Sequence, residues 1–295
     1  DLAVVEAAVD VEQFIDYQVA EIFYANTDWP GNNTKLWRPQ APGGRWRWIL
    51  YDTDFGFALY DRNGYRHATL DFATAASGPE WPNPPHSTLL FRRLLRNTSF
   101  RNAFVNRFAD HLNATFDTQR VLALIDDMAA ALAPEIPRHS VRWGGSVSQW
   151  RSDVDVLRDF ARRRPAFLWI HLRQFFGLET NTFVTLDASP GGTVRVNRLD
   201  VDAFPWTGRY FPGVPVTLTA IAQPGYRFAG WSADTSSAAA SITIDPATTD
   251  NLVAHFEPAE GAAPAVVLNE IFYNPPPDHD AEDWVELFNA SPEEA

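Results

Sequence analysis

The 295-residue chain has no cysteine. Disulfide staples, zinc–thiolate sites and cysteine nucleophiles are therefore excluded, and the redox compartment cannot be read from the absence of thiols. Missing too is any apolar run near the roughly 20 residues that span a bilayer. The opening Asp1-Leu2-Ala3 has neither Met nor a basic-then-apolar leader, which predicts a fragment or a processed product. Positive charge is scarce: 24 Lys and Arg stand against 37 Asp and Glu, a formal net charge of −13. A surface of that sign repels phosphates, so neither a nucleic acid nor an anionic membrane is expected as a general partner, and basic partners are easier to accommodate. His67, His86, His111 and His139 lack metal-ligand spacing, which argues against zinc. Apolar mass, by contrast, is plentiful. With 45% hydrophobic and 14% aromatic residues, the chain can build about two domains with buried cores.

Periodicity divides the chain. Asp10 and Gln13 look like a helix start with a capping-box variant, and Val11, Phe14, Ile15, Val19, Ile22 and Phe23 follow at helical spacing to an end near Asn26. Two short strand-like runs, 35–38 and 45–51, flank a Pro- and Gly-rich connection and predict a hairpin. From 87 to 176 the period is helical again, with anchors such as Phe100, Phe104, Phe108, Leu124, Met128, Phe160 and Phe167, and predicts four or five helices. After Gly177 the composition turns to β-rich runs at 182–186, 193–197, 214–220, 226–231, 241–244 and 252–256, separated by Pro-Gly turns. An Ala-, Pro- and Glu-rich linker follows, then two alternating runs from Val266 and from Trp284.

Asp28 and Asn33 form a D-x-x-x-x-N, and the alternating run from Trp46 delivers Asp52-Thr53-Asp54-Phe55-Gly56. Phosphoryl-transfer enzymes use that order of side chains: a hydroxyl-proton acceptor, a metal amide and a metal carboxylate. Transfer of a γ-phosphoryl group is mostly positioning and charge neutralisation by Mg²⁺, which hard oxygen ligands hold while leaving sites for nucleotide oxygens. Each residue also has a plainer reading. Asp28 and Asn32 or Asn33 suit a turn around Pro30-Gly31, and Lys35 suits a solvated strand edge. For Asp52 and Asp54, two carboxylates one residue apart on a strand share a face and repel, so a shared cation is the natural resolution. Trp46 and Trp48 read as core more than as a stacking platform, and Arg162, Arg163 and Arg164, with Arg151 and Arg158, as a solvated helix face.

Ile15-Asp16-Tyr17, Asn26-Thr27-Asp28-Trp29, Asn32-Asn33 before Lys35-Leu36-Trp37-Arg38, and the run Trp48 to Gly56 together resemble the CotH kinase family, over residues 1–178. The resemblance implies ATP and a divalent metal, Mg or Mn, and phosphorylation of Ser or Thr hydroxyls on a secreted or surface protein. It puts the catalytic acid at Asp28, the metal amide at Asn33 or its neighbour Asn32, and the metal carboxylate at Asp52 or Asp54, while Lys35 is a candidate phosphate contact. It also implies nucleotide-covering strands before the first helix. Only nine residues precede Asp10 here, so weak ATP binding is expected, with an open apolar side on that helix or on the Trp46–Trp48 strand. Residues 179–258, with Gly192-Thr193-Val194, Pro224-Gly225-Tyr226 and Gly230-Trp231, resemble the divergent InlB-type β-repeat. After a linker at 259–265, residues 266–295 are similar to the opening of a lamin-tail domain. Both are attachment or spacer modules, which implies an exported, multimodular bacterial surface protein.

The expected architecture is a multidomain α+β chain. It has a mostly helical, kinase C-lobe-like domain with a small catalytic hairpin, then an all-β repeat module and a truncated immunoglobulin-like β segment. Two rival functions are a surface scaffold or adhesion protein whose kinase-like region is inactive and, more distantly, a metal-dependent hydrolase using the same D-x-D.

Overall fold

In a computed structural model of the chain, residues 1–78, 83–259, 266–273 and 284–289 are described. The chain divides into two compact units, Asp1–Thr182 with Arg209–Val214, and Phe183–Gly208 with Pro215–Ala295.

The first unit opens with α1 (Leu2–Ala8), capped by the Asp1 side chain, and α2 (Val11–Tyr24), capped by Asp10. The hairpin β1 (Lys35–Trp37) and β2 (Arg47–Ile49) follows, then α3 (Thr69–Ala73). The rest is helical: α4 (Leu89–Leu94), α5 (Thr98–Asn113), α6 (Thr118–Leu132), α7 (Ile136–Trp143) and α8 (Val147–Phe176). The stretch from 87 to 176 thus holds five helices, as the period implied; α1 and α3 were not foreseen.

The apolar stripe of α2 packs against those of α4, α5 and α8. Phe14, Phe23, Phe91, Phe100, Phe104, Phe108, Leu168 and Leu172 are buried together, and the Phe23 and Phe116 rings stack at 3.8 Å. Aromatic side chains bury the most area per residue and hold this geometry best. Arg209–Val214 joins the same unit: the Tyr210 hydroxyl donates to Asp110 Oδ1 at 2.8 Å, and the Arg209 main chain pairs with the Asn113 side chain.

The start of α2 is stitched to β2. Asp10 Oδ1 accepts from the Gln13 N–H at 3.3 Å, which is half of a capping box. The other half is replaced. Because the Asp10 N–H already donates to the Trp46 carbonyl at 2.9 Å, the Gln13 side chain turns to β2, where its amide nitrogen donates to the Trp48 carbonyl at 2.8 Å and its oxygen accepts from the Trp48 N–H at 2.7 Å. Arg47 pairs with Asp10 at 2.8 Å. Val11 and Phe14 are buried, Trp48 lies 4.4 Å from Phe14, and Leu2, Val5 and Val9 pack on the same core. The apolar side of α2 is therefore covered. Exposed apolar groups lie instead on the hairpin, at Leu36, Trp37, Trp46 and Ile49.

The β-rich part, which apart from Thr182, Arg209 and Tyr210 belongs to the second unit, comprises β3 (Thr182–Ala188), β4 (Gly192–Val196), β5 (Leu199–Val201), β6 (Trp206–Tyr210), β7 (Val216–Ala222), β8 (Tyr226–Ala233), β9 (Ser241–Ile244) and β10 (Asn251–Pro258), in two four-stranded sheets. Their orders are β6-β3-β10-β8 and β5-β4-β7-β9. Strand β10 runs parallel to β3 and antiparallel to β8. Alternate side chains, among them Val184, Leu186, Val194, Val196, Val216, Leu218, Leu252 and Ala254, are buried, the period of half-buried strands. Finally β11 (Val266–Phe272) pairs with β12 (Trp284–Asn289) antiparallel. Most of the predicted linker (260–265) and much of the predicted tail segment (274–283 and 290–295) lie outside the described residues.

Candidate active site

The site is built where α2 ends. Ala25 takes a left-handed φ of 57°, and its N–H bonds to the Glu21 and Ile22 carbonyls. The chain then turns through Asn26 and Thr27 to Asp28, whose N–H donates to Asn26 Oδ1 at 3.0 Å. Asn32 donates its amide to both Asp28 carboxylate oxygens at 3.0 Å, and Asn33 donates to Oδ2 at 2.8 Å. Asn33 also reaches the Asp52 carbonyl at 3.4 Å. The loop therefore brings Asp28, Asn33 and the D-x-D backbone together. Asn32, which could have been a bare turn residue, helps to fix the Asp28 carboxylate.

Asp52 and Asp54 do not sit on a strand. Strand β2 stops at Ile49, Asp52 adopts a left-handed φ of 56°, and a turn closes where the Gly56 N–H donates to Thr53 at 3.0 Å. The alternation argument placing both carboxylates on one face therefore does not apply; a turn aims them. Both are exposed. Among the described residues no three His, Cys, Asp or Glu side chains gather as a metal cage, so the acidic residues alone do not make one. Lys35, the chain's single lysine, holds its Nζ 3.8 Å above the Tyr51 ring. Beside the turn an apolar groove of about 470 Å³ is lined by Thr53, Phe57, Phe116, Leu124, Ile125 and Met128, among others.

Two supports for this loop escaped the sequence reading. Asn83, nearly fully buried, accepts from the Gly31 N–H at 2.5 Å and donates to the Thr27 carbonyl at 3.4 Å, so one amide clasps both sides of the turn. No local signal marks it, because its partners lie more than fifty residues earlier.

The second is Arg164. Of the five arginines expected on a solvated face, Arg151, Arg162 and Arg163 are exposed and Arg158 is half-buried, but Arg164 is fully buried. It donates to the carbonyls of Ile22 (2.6 Å), Phe23 (3.0 Å), Tyr65 (3.0 Å) and His67 (2.7 Å), and to the Thr69 hydroxyl (2.8 Å). The first two belong to the last turn of α2, the negative end of the helix, which a cation suits. Burial pushes Arg164 down to about 9. The signal was present: Arg164 falls at i+4 from Phe160 and i−4 from Leu168, inside the buried stripe of α8.

Under the turn lies Glu21, fully buried, accepting at Oε2 from Asn26 Nδ2 at 2.9 Å. Burial pushes its carboxyl up to about 7, against the opposing hydrogen bond from Asn26. On the outer side of α2, Asp16 receives Arg107 and, at 3.2 Å, His111.

The donor set fits a hard cation. Asn33 Oδ1 accepts from none of the described residues, and two exposed carboxylates follow its Asp52 contact, which is oxygen chemistry suited to Mg²⁺ or Mn²⁺. No helix among the described residues is long and apolar enough to cross a membrane. No curated protein and no solved structure matches the chain. Residues 182–260 match the family described as divergent InlB B-repeat domain, a surface-type module. Residues 2–168, which contain the whole loop from Glu21 to Asp54, match the family described as CotH kinase protein, and the chain belongs to that kinase-like family.

Proposed function

We propose that this chain is an atypical protein kinase that phosphorylates Ser or Thr hydroxyls of secreted or cell-surface proteins, using ATP and Mg²⁺ or Mn²⁺. The observation that carries the reading is the 2.8 Å bond from Asn33 to Asp28, with the same amide reaching Asp52. Asp28 orients the acceptor hydroxyl and takes its proton; the amides of Asn32 and Asn33 keep the carboxylate aimed. Asn33 Oδ1 and the carboxylates of Asp54 and Asp52 hold the metal, and Lys35 contacts the nucleotide from the start of β1. The metal nucleotide, when bound, supplies the phosphoryl group and the neutralising charge. No nucleic acid is a partner in this reading, which the acidic net charge supports.

The repeat module supports a cell-surface or extracellular setting, with attachment through the β modules; the β11–β12 pair is read as the start of a lamin-tail-like segment. The same module favours a second reading, in which the kinase-like unit is an inactive scaffold of a bacterial surface protein. Calorimetry decides between them. Titration of MgATP or MnATP should give saturable binding that Asp54→Asn weakens at least about tenfold. Identical curves for the two proteins would remove Asp54 from the metal site, and no binding by either would favour the scaffold.

A further inference from the structure

Resting on that kinase reading, we propose that Glu21 is a positioning residue: through the Asn26 side chain it sets the acceptor for the Asp28 backbone N–H, and so the direction of the Asp28 carboxylate. Glu21 and Asn26 are both fully buried, so no water competes for their polar groups. A carboxylate only accepts hydrogen bonds, whereas an amide presents a donor on one side and an acceptor on the other. With its Nδ2 on Glu21 Oε2 at 2.9 Å, Asn26 must turn Oδ1 the other way, where the Asp28 N–H meets it at 3.0 Å. Were the amide reversed, its NH₂ would face that N–H. The ionised Glu21 side chain thus fixes the polarity of the whole chain of bonds from α2 to Asn33.

Glu21 Oε1 lies outside good hydrogen-bond geometry with any described group, the Tyr17 hydroxyl being the neighbour near enough to favour the ionised form, and no ion pair to Glu21 is formed by the described Lys, Arg or His side chains. The titratable groups that bear on it are Tyr17 and Tyr24, both on α2. Burial, as noted, pushes Glu21 up to about 7. Its charge therefore changes near neutral pH, and a protonated Glu21, able to donate or accept, no longer dictates how Asn26 turns. The site should be ordered when Glu21 is ionised and less well aimed below that point.

The test uses the full chain and two readouts. In ¹⁵N-resolved NMR, the Asp28 amide should shift with an apparent midpoint of about 7 in the wild type and stay flat in Glu21→Gln, a neutral isostere. In phosphoryl transfer, Glu21→Gln should lower kcat about tenfold above neutral pH and erase the acid limb, with KM within about twofold and no loss of thermal stability. A structural role alone would lower stability and activity together. An Asp28 amide that does not titrate in the wild type, or titrates equally in Glu21→Gln, overturns the proposal. A wild type that transfers nothing overturns the kinase reading, while the amide titration still decides whether Glu21 sets the loop.

Discussion

Arg164 Nη2 donates to the Ile22 carbonyl at 2.6 Å, tying the middle of α8 to the last turn of α2. The loop that carries Asp28 starts four residues later, at Asn26, just beyond the turn that this cation holds.

Replacing Arg164 by Met keeps the length and the apolar stem but removes five hydrogen bonds; the Ile22 and His67 carbonyls keep main-chain donors from Ala25 and Thr69, while those of Phe23 and Tyr65 lose the arginine that serves them. Buried groups stripped of a partner cost about 1–3 kcal/mol each before relaxation, so a loss of roughly 3–5 kcal/mol is expected. Arg164→Lys should recover only part, since three donors cannot serve five acceptors. Urea unfolding followed by circular dichroism checks both variants.

The Asp16 cluster predicts an acid limit to stability. Burial alone would raise the Asp16 carboxyl, but hydrogen bonds from His111 and Arg107, with the charge of Arg107, win and hold it at about 2 against its usual 3.8. A folded value below the unfolded one means a contribution fully present above about pH 4 and lost as pH falls through about 2. Asp16→Asn should therefore lower Tm at pH 7, with the gap closing toward pH 2. The side chain is 38% exposed, so solvent screens the effect and the shift should be modest. A Tm difference independent of pH would remove the charge argument.

Asn83→Ala should loosen the turn without unfolding the core, because its two bonds clasp Gly31 and Thr27 while the helices pack elsewhere. Two lost hydrogen bonds to a buried amide cost about 1–3 kcal/mol. Hydrogen exchange should show faster exchange at Gly31 and Asp28, with the α5 amides unchanged. Protection at Gly31 equal to the wild type would show that the clasp is dispensable.

The parts that local pattern could reach were legible in the sequence: Phe100, Phe104 and Phe108 repeat every four residues, line one helix face and are buried. The order Asp28, Asn33, Asp54 suggested phosphoryl transfer, and the structure brings Asp28 and Asn33 into contact, which leaves the activity a proposal. What failed depended on distant partners. Gln13 serves β2 because the Trp46 carbonyl had already taken the Asp10 N–H. Asp52 turns off the strand because the loop must return to Tyr24, whose carbonyl accepts the Phe57 N–H at 2.8 Å. The short strand β5 was missed because its turn, Asn197-Arg198, lacks glycine; Asn197 supplies the left-handed φ of 50° instead.

The central claim is that Asp28 takes the acceptor proton in phosphoryl transfer. The most direct measurement is transfer of labelled γ-phosphate from ATP to a Ser- or Thr-containing protein acceptor, with nucleotide affinity measured in parallel, for the wild type and Asp28→Ala. An acid that acts mainly in the transition state should, when removed, lower kcat by about 10²-fold or more while the nucleotide affinity stays within about twofold. Transfer by Asp28→Ala at the wild-type rate would contradict the account.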